Sequence, residues 1–384
     1  MLIALACVPL AIWLYLVFFH WRFWRVARHL PPVQPVKPSQ STVVAVIPAR
    51  NEAAAIERAV RSLLRQDFPG LLRVIVVDDH SEDNTAELAQ RSGSRVTVLP
   101  SATLEPGWTG KMWAVAQGVA EAGRLKPDYL LLTDADIEHG PSALADLVRI
   151  AESGSYDLVS YMVRLSSETI AEKLLIPAFV FFFFLLYPPA AIRSRRSKMA
   201  GAAGGCMLIH TAALEAAGGI AQIRSEVIDD CALARAVKSS GGRVWLGLTT
   251  QTRSLRRYTS FGEIERMIAR TAFNQLRHSW LLLAATCVGL AITYLMPLGL
   301  LFSGNIVPAL LGLAAWVLMS AAYYRMIRFY GRSVLWCITL PSAAVFYLAA
   351  TVHSAIQYAS GRGGQWKGRS QDLRATKAKA GPSG

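Results

Sequence analysis

Two pairs of carboxylates carry the chemistry open to this chain. Asp134 and Asp136 lie one residue apart in Tyr129-Leu-Leu-Leu-Thr-Asp-Ala-Asp-Ile-Glu138. At strand spacing both side chains leave the backbone on the same side. Paired oxygens of this kind suit a hard divalent cation, Mg2+ or Mn2+, that also holds a phosphate. A solvated turn is the plain alternative. The second pair is Asp229-Asp230, in Ser225-Glu-Val-Ile-Asp-Asp-Cys-Ala-Leu-Ala-Arg235. A carboxylate opening a helix is ordinary capping chemistry, but Glu226, Asp229 and Asp230 together are more acid than one helix end needs. Packed like charges raise a carboxylate's pKa toward the range of a working base. Asp230 is therefore the candidate general base.

The elements that must position these pairs follow from the apolar pattern. Tyr129 to Leu132 reads as a strand buried on both faces, ending at the acids. Open α/β folds place ligands at such carboxyl ends. Val43 to Ile47, Arg73 to Val77, Arg95 to Leu99 and Asp157 to Val163 read as further strands. Between them lie helices expected from Asn51-Glu52 to about Gln66, from Lys111 to Ala122, and from about Pro141. Alternating strands and helices predict an α/β fold, a mostly parallel sheet with helices on both faces. No glycine-rich dinucleotide loop follows the first strand, where Ile47-Pro-Ala-Arg-Asn-Glu52 stands instead, and a Walker lysine loop is also absent. Gly204-Gly205-Cys206 opens the strand before the Asp230 helix. Small residues there either let a ligand approach the backbone or simply make a tight turn.

Ile47-Pro-Ala-Arg-Asn-Glu52 and Val76-Val-Asp-Asp-His-Ser-Glu-Asp-Asn-Thr85 resemble the first two signatures of the family 2 glycosyltransferases, inverting enzymes of the GT-A fold. Gly107-Trp-Thr-Gly-Lys111, with Trp113, Ala114 and Gly118, resembles the next element, Asp134-Ala-Asp136 the metal-binding DxD, and the Asp229-Asp230 stretch the catalytic helix start, with Asp229 replacing the usual Glu. The likeness covers about Val43 to Gly247. It implies that Asp79 holds the nucleotide base or ribose, with Glu52 and the backbone from Pro48 to Asn51 in the same pocket. Lys111 would bring positive charge to the nucleotide. Asp136, helped by Asp134, would bind the cation bridging the diphosphate, and an acceptor hydroxyl deprotonated by Asp230 would attack the sugar in a single inverting displacement. Within the family, the Gly-Trp-Thr-Gly-Lys-Met-Trp string and the Glu265-to-Leu276 helix resemble the hopene-associated glycosyltransferases, which implies a hopanoid or polyprenoid acceptor.

The rest of the chain reads as membrane-bound. Hydrophobic residues make up 53% of the 384, clustered in runs, and the net charge is +14. Basic charge beside apolar runs points to membrane orientation and anionic headgroups rather than nucleic acid. Five cysteines show no zinc or disulfide spacing. Residues 1–22 read as a retained anchor, 30–41 as a proline-rich linker and 42–255 as the catalytic domain on the cytoplasmic face of the cell membrane. Within it, 174–192 is expected to lie in the membrane interface, since spanning would part Asp230 from Asp136; a buried helix is the plain alternative. Residues 259–278 form an amphipathic basic helix which, by the resemblance, brings Arg266 and Arg270 near the site. Residues 280–358 hold apolar runs long enough to span, and 359–384 form a basic tail. In the last run Pro341 and Ser342-Ala-Ala344 predict a break into re-entrant half helices, which would keep the tail cytoplasmic with Trp366 and Arg369 near the domain's membrane-facing side.

A degenerate domain of the same fold that binds a lipid or partner without turnover is the rival reading, and a sugar nucleotidyltransferase a weaker one. Intact Asp79, Asp136 and Asp230 favour the enzyme. The partners expected are a nucleotide-diphosphate sugar, a lipid acceptor and the bilayer.

Overall fold

The structure is a computed structural model that describes residues 2–25 and 40–360, together with the backbone of 365–366 and 369–370. The expected linker and basic tail fall almost wholly outside the described residues, as do the side chains of Trp366 and Arg369. The backbones of Gln365–Trp366 and Arg369–Ser370 pair as a short antiparallel ladder. The chain divides into two compact units, Met1–Val26, Ser167–Ala190 and Tyr258–Gly363 in one, Ala27–Ser166, Ala191–Arg257 and Gly364–Gly384 in the other.

The second unit is built on one sheet. Its strands are β1 (Thr42–Ala49), β2 (Leu71–Asp78), β3 (Val96–Pro100), β4 (Tyr129–Thr133), β5 (Ile137–His139), β6 (Leu158–Arg164), β7 (Cys206–His210) and β8 (Val244–Ser254), in spatial order β3-β2-β1-β4-β7-β6-β8-β5. The first four are mutually parallel. β1 and β4 are the buried heart, nearly every residue shielded on both faces, as their continuous apolar sequence requires. The strand order runs outward one way through β2 and β3, then jumps to the other side of β1 for β4. That switch opens a crevice at the carboxyl ends of β1 and β4, where such folds bind ligands. Pairing of β1 with β4 ends at Val46 and Leu132, so Pro48 lies in β1 beyond the point where the two strands part.

The sheet is mixed where an all-parallel one would follow from simple alternation. β7 runs antiparallel to both β4 and β6. The chain leaves the unit after β6, runs through helix Ile170–Leu186 of the other unit and re-enters at β7. The register sets Cys206 opposite Thr133, bringing Gly204 and Gly205 beside the acids that follow β4.

Helix Gly110–Gly123 packs on β1 and β2 through Gly118, where an added Cβ would come 2.4 Å from Val46 and 3.0 Å from Val77. Thr109 caps its start, accepting from the Met112 N–H. The helix expected from Asn51 begins only at Ile56. Asn51 has a left-handed φ of 51°, and the stretch before the helix is tied to the turn after β2 rather than to its own next turn.

The first unit is helical. Among the described residues four helices are long and apolar enough to cross a membrane, Ile170–Arg193, Trp280–Leu301, Ile306–Phe329 and Val334–Ala359, and Ile3–Phe18 is a shorter apolar helix. Within this unit Phe181 packs on Phe23 and Tyr323, and Phe182 on Tyr294 and Tyr347, so the phenylalanine run of 180–187 is covered by neighbouring helices. Pro297 denies Thr293 its usual helical N–H partner; the Trp13 indole donates to that carbonyl at 2.9 Å. Two readings of this half change. The expected single helix over 259–278 is broken into Phe261–Ala269 and Ala272–Gln275. The break expected at Pro341 is also absent: a 3₁₀ turn, Val334–Thr339, leads into an unbroken helix, Leu340–Ala359. Pro341 sits in that helix's first turn, where no N–H is needed.

Candidate active site

The two loops at the ends of β1 and β2 are laced together. Asn51 N–H donates to Ser81 Oγ at 3.0 Å, Glu82 N–H to Asn51 Oδ1 at 2.8 Å, and Glu52 N–H to Thr85 Oγ1 at 2.8 Å. Arg50 donates to the Asp79 carbonyl at 2.6 Å and lies 3.9 Å from its carboxylate. Asp79 itself is buried. Arg50, which the sequence reading passed over as a side chain, thus holds the residue assigned to the nucleotide.

Asp134 and Asp136 are not at strand spacing. They stand on a tight turn, with Ile137 N–H bonded to the Asp134 carbonyl at 3.3 Å, because β5 follows at once and pairs antiparallel with β8. They still meet electrostatically. Burial, then the neighbouring charges of Asp134 and Glu52, push the Asp136 carboxyl up to about 6, against Arg256. Among the described residues no three His, Cys, Asp or Glu side chains converge on one cation position. Two crowded carboxylates fit a hard cation whose remaining ligands are diphosphate oxygens.

The second pair divides. Asp229 and Asp230 open helix Asp229–Ser239. Asp230 accepts two backbone N–H bonds, from Gly204 at 2.8 Å and Cys231 at 2.7 Å. Burial and then the charge of Asp229 nonetheless raise its pKa above the usual carboxylate range. Asp229 faces Lys111, whose Nζ lies 3.2 Å from it and 3.0 Å from Asp134. Burial opposes the ammonium's charge, yet Asp134, Asp229 and Asp230 outweigh it and raise its pKa. Lys111, expected at the nucleotide, is therefore the cation that joins the two aspartate pairs.

Pro48, Lys111, Thr133, Asp134, Gly204 and Asp229 line an open pocket, with apolar residues including Leu132 and Met207. Asp79, Glu52, Asp136 and Asp230 stand outside that lining, so each aspartate pair borders the pocket through one member only, Asp134 and Asp229. Glu226 is exposed, ahead of the helix, and also outside it. Arg266 and Arg270 belong to the helical unit, both exposed.

The sequence reading also missed two buried groups, Thr133 and His139, which flank the Asp134–Asp136 turn and bond to each other at 3.1 Å. Burial lowers the His139 pKa to about 4. Their only sequence signal is a hydroxyl and an imidazole at either end of an acidic turn.

Residues 44–218 match the family model Glycosyl transferase family 2. The chain is 34% identical over 97 residues to a 4,4'-diaponeurosporenoate glycosyltransferase of Staphylococcus haemolyticus, covering 25% of this chain and 24% of that protein. The protein of the same name from Staphylococcus aureus is 32% identical over 110 residues, 29% of this chain and 28% of that one. The chain thus spans only about a quarter of the length of these relatives. Among solved structures, a mannosyltransferase of Pyrobaculum calidifontis in complex with GDP-Man and Mn2+ superposes with a TM-score of 0.59 at 19% identity, covering 93% of this chain and 99% of that one. Fold and matched segment agree: residues 44–218 match the model of glycosyl transferase family 2 and lie on a GT-A-like sheet.

Proposed function

We propose that the protein is a membrane-bound inverting glycosyltransferase, moving a hexosyl or related sugar from a nucleotide-diphosphate donor to a lipid acceptor. The observation that carries this reading is the pair of aspartate sites joined by Lys111, which meets Asp134 and Asp229 at the lining of one pocket. The acceptor hydroxyl gives its proton to the Asp230 carboxylate as its oxygen bonds to the anomeric carbon. The bond from that carbon to the diphosphate oxygen breaks on the opposite face, so the configuration inverts. Gly204 and Cys231 fix the base by their N–H groups, and Asp229 keeps Lys111 beside Asp134, on the donor side. Asp134 and Asp136 are the residues that would hold a divalent cation, which when bound stabilises negative charge on the leaving diphosphate. Asp79, Glu52 and the Pro48 backbone are assigned to the nucleotide.

The lipid acceptor is supported by the four apolar helices and by the name of the staphylococcal relatives, diaponeurosporenoate glycosyltransferases. A hopanoid or other polyprenoid is the finer form of the same reading, with the catalytic unit (about 42–255) on the cytoplasmic face of the membrane. Arg266 and Arg270, with Trp366 and Arg369, are assigned to the acceptor side. Membranes containing the full chain, incubated with a panel of labelled nucleotide sugars and then extracted, should yield a labelled lipid with one donor. No label from any donor, with acceptor lipids supplied, would replace the reading by one of binding without turnover.

A further inference from the structure

Thr133 is the last residue of β4 and is buried, as is His139, which ends β5. The Thr133 hydroxyl has one proton, and the Gly205 carbonyl 2.8 Å away can only accept it. The His139 Nε2, 3.1 Å from the same oxygen, must then be the donor. The imidazole thus closes the turn that carries Asp134 and Asp136 while its N–H feeds a hydroxyl committed elsewhere. On the far side of that carbonyl, Gly204 N–H donates to Asp230 Oδ2 at 2.8 Å. The same segment is pinned from below: Ser160 Oγ accepts from Ala203 N–H at 2.8 Å and donates to the Ala203 carbonyl at 3.1 Å. His139 is itself anchored, its N–H donating to Ser62 Oγ at 3.0 Å.

We propose that His139 and Thr133 are positioning residues for glycosyl transfer, a buried strut that sets the Asp230 carboxylate at a fixed place relative to the Asp134–Asp136 turn. The inference rests on the reading of Asp230 as base and of the turn as the donor's cation side. His139 stands outside the pocket lining, and Thr133 borders it with its hydroxyl committed to Gly205 and His139. The strut works through the Gly204–Gly205 turn, whose carbonyl and N–H face the two sites in succession. A displaced base costs turnover while leaving the donor's contacts in place, since small misplacements of reacting groups slow chemistry steeply.

Four variants of the full chain in lipid nanodiscs test this: Thr133→Val, Thr133→Ser, His139→Leu and the Thr133→Val/His139→Leu double. Transfer is measured beside calorimetric binding of nucleotide with Mn2+. Thr133→Val, which keeps the shape and removes the hydroxyl, should lower kcat about tenfold with donor Kd nearly unchanged. Thr133→Ser should retain most of the activity. The double variant should be no slower than the slower single, because both act along one path. Should His139→Leu fail to fold, His139→Gln, whose amide nitrogen stands where Nε2 does and can donate to Thr133, should stay near wild-type kcat. Equal losses in Thr133→Val and Thr133→Ser, or a double-variant loss equal to the product of the singles, would overturn the strut. So would a lowered melting temperature with kcat intact, which is what mere packing predicts. A wild-type chain that transfers sugar beside an unaffected Thr133→Val removes the strut alone; a wild-type chain that transfers nothing removes the underlying reading.

Discussion

Asp134 and Asp136 stand on a turn and meet charged side chains, Lys111 at 3.0 Å from Asp134 and the charge of Arg256 at Asp136, whereas Asp229 and Asp230 open a helix and Asp230 accepts from two backbone N–H groups. On the turn, mutual repulsion and burial leave charge waiting for a cation. At the helix, one carboxylate is spent on Lys111 and the other is held by N–H groups of Gly204 and Cys231. Spacing makes the difference. Residues two apart on a turn share an open face, while neighbours at a helix start point apart and take different partners. Two pairs of the same residue type thus suit different tasks, donor binding and proton acceptance, and Lys111 ties them together.

Breaking the second pair should have the largest effect. Asp230→Asn keeps the shape but only one of the bonds from Gly204 and Cys231, since its amide nitrogen cannot accept, and it takes up no proton. Transfer should fall about 10²–10⁴-fold with donor affinity unchanged, read by labelled-sugar transfer beside calorimetry. Breaking the first pair should reverse the pattern. Asp136→Ala should weaken Mn2+-dependent donor binding by more than about thirtyfold, the loss expected when a charged partner is removed from a desolvated contact. If Mn2+ raises nucleotide affinity as much in this variant as in wild type, the cation assignment fails.

Acid should sharpen the same contrast. The Asp136 carboxyl, held at about 6 by burial and by Asp134 and Glu52, takes up a proton as pH falls, and cation-dependent affinity should drop about tenfold per unit below that value. Stability should move the other way. A carboxyl whose folded pKa is raised adds stability that is full below its unfolded value and lost as pH rises through about 6. Asp230, raised in the same direction, contributes with the same sign and lowers kcat on the acid side. Melting and titration over pH 5 to 8 should therefore show binding lost before the fold; simultaneous loss would contradict the assignment. The smallest effect should come from Asp229→Asn, which leaves Lys111 with Asp134. Transfer should fall only a few-fold, on the scale of one partly exposed ion pair, and a loss as deep as that of Asp230→Asn would exchange the roles of the two neighbours.

Much of this was legible because it is local. The run Tyr129 to Leu132 is too apolar to be anything but an inner strand, and Gly110–Gly123 carries its own cap at Thr109. What the sequence hid is set by distant partners. Asn51 looked like a helix start, but its loop is bound to Ser81, Glu82 and Thr85, thirty residues on. Asp134 and Asp136 looked like neighbours on a strand until β8 turned the chain back into β5. Lys111 is expected at the nucleotide, and nothing in its sequence surroundings announces that Asp134 and Asp229 flank it. Pro341 reads as a helix breaker wherever it stands, and only the preceding 3₁₀ turn shows that it opens a helix.

The division of labour is tested most directly by measuring Asp136→Ala and Asp230→Asn side by side. Each full-length variant is titrated with nucleotide sugar and Mn2+, then assayed for single-turnover transfer at saturating donor. The account predicts a crossed result: Asp136→Ala loses Mn2+-dependent affinity, while Asp230→Asn binds the donor as wild type does and fails to transfer it. Loss of donor affinity in Asp230→Asn, or normal single-turnover transfer by it, would contradict the separation of the two pairs.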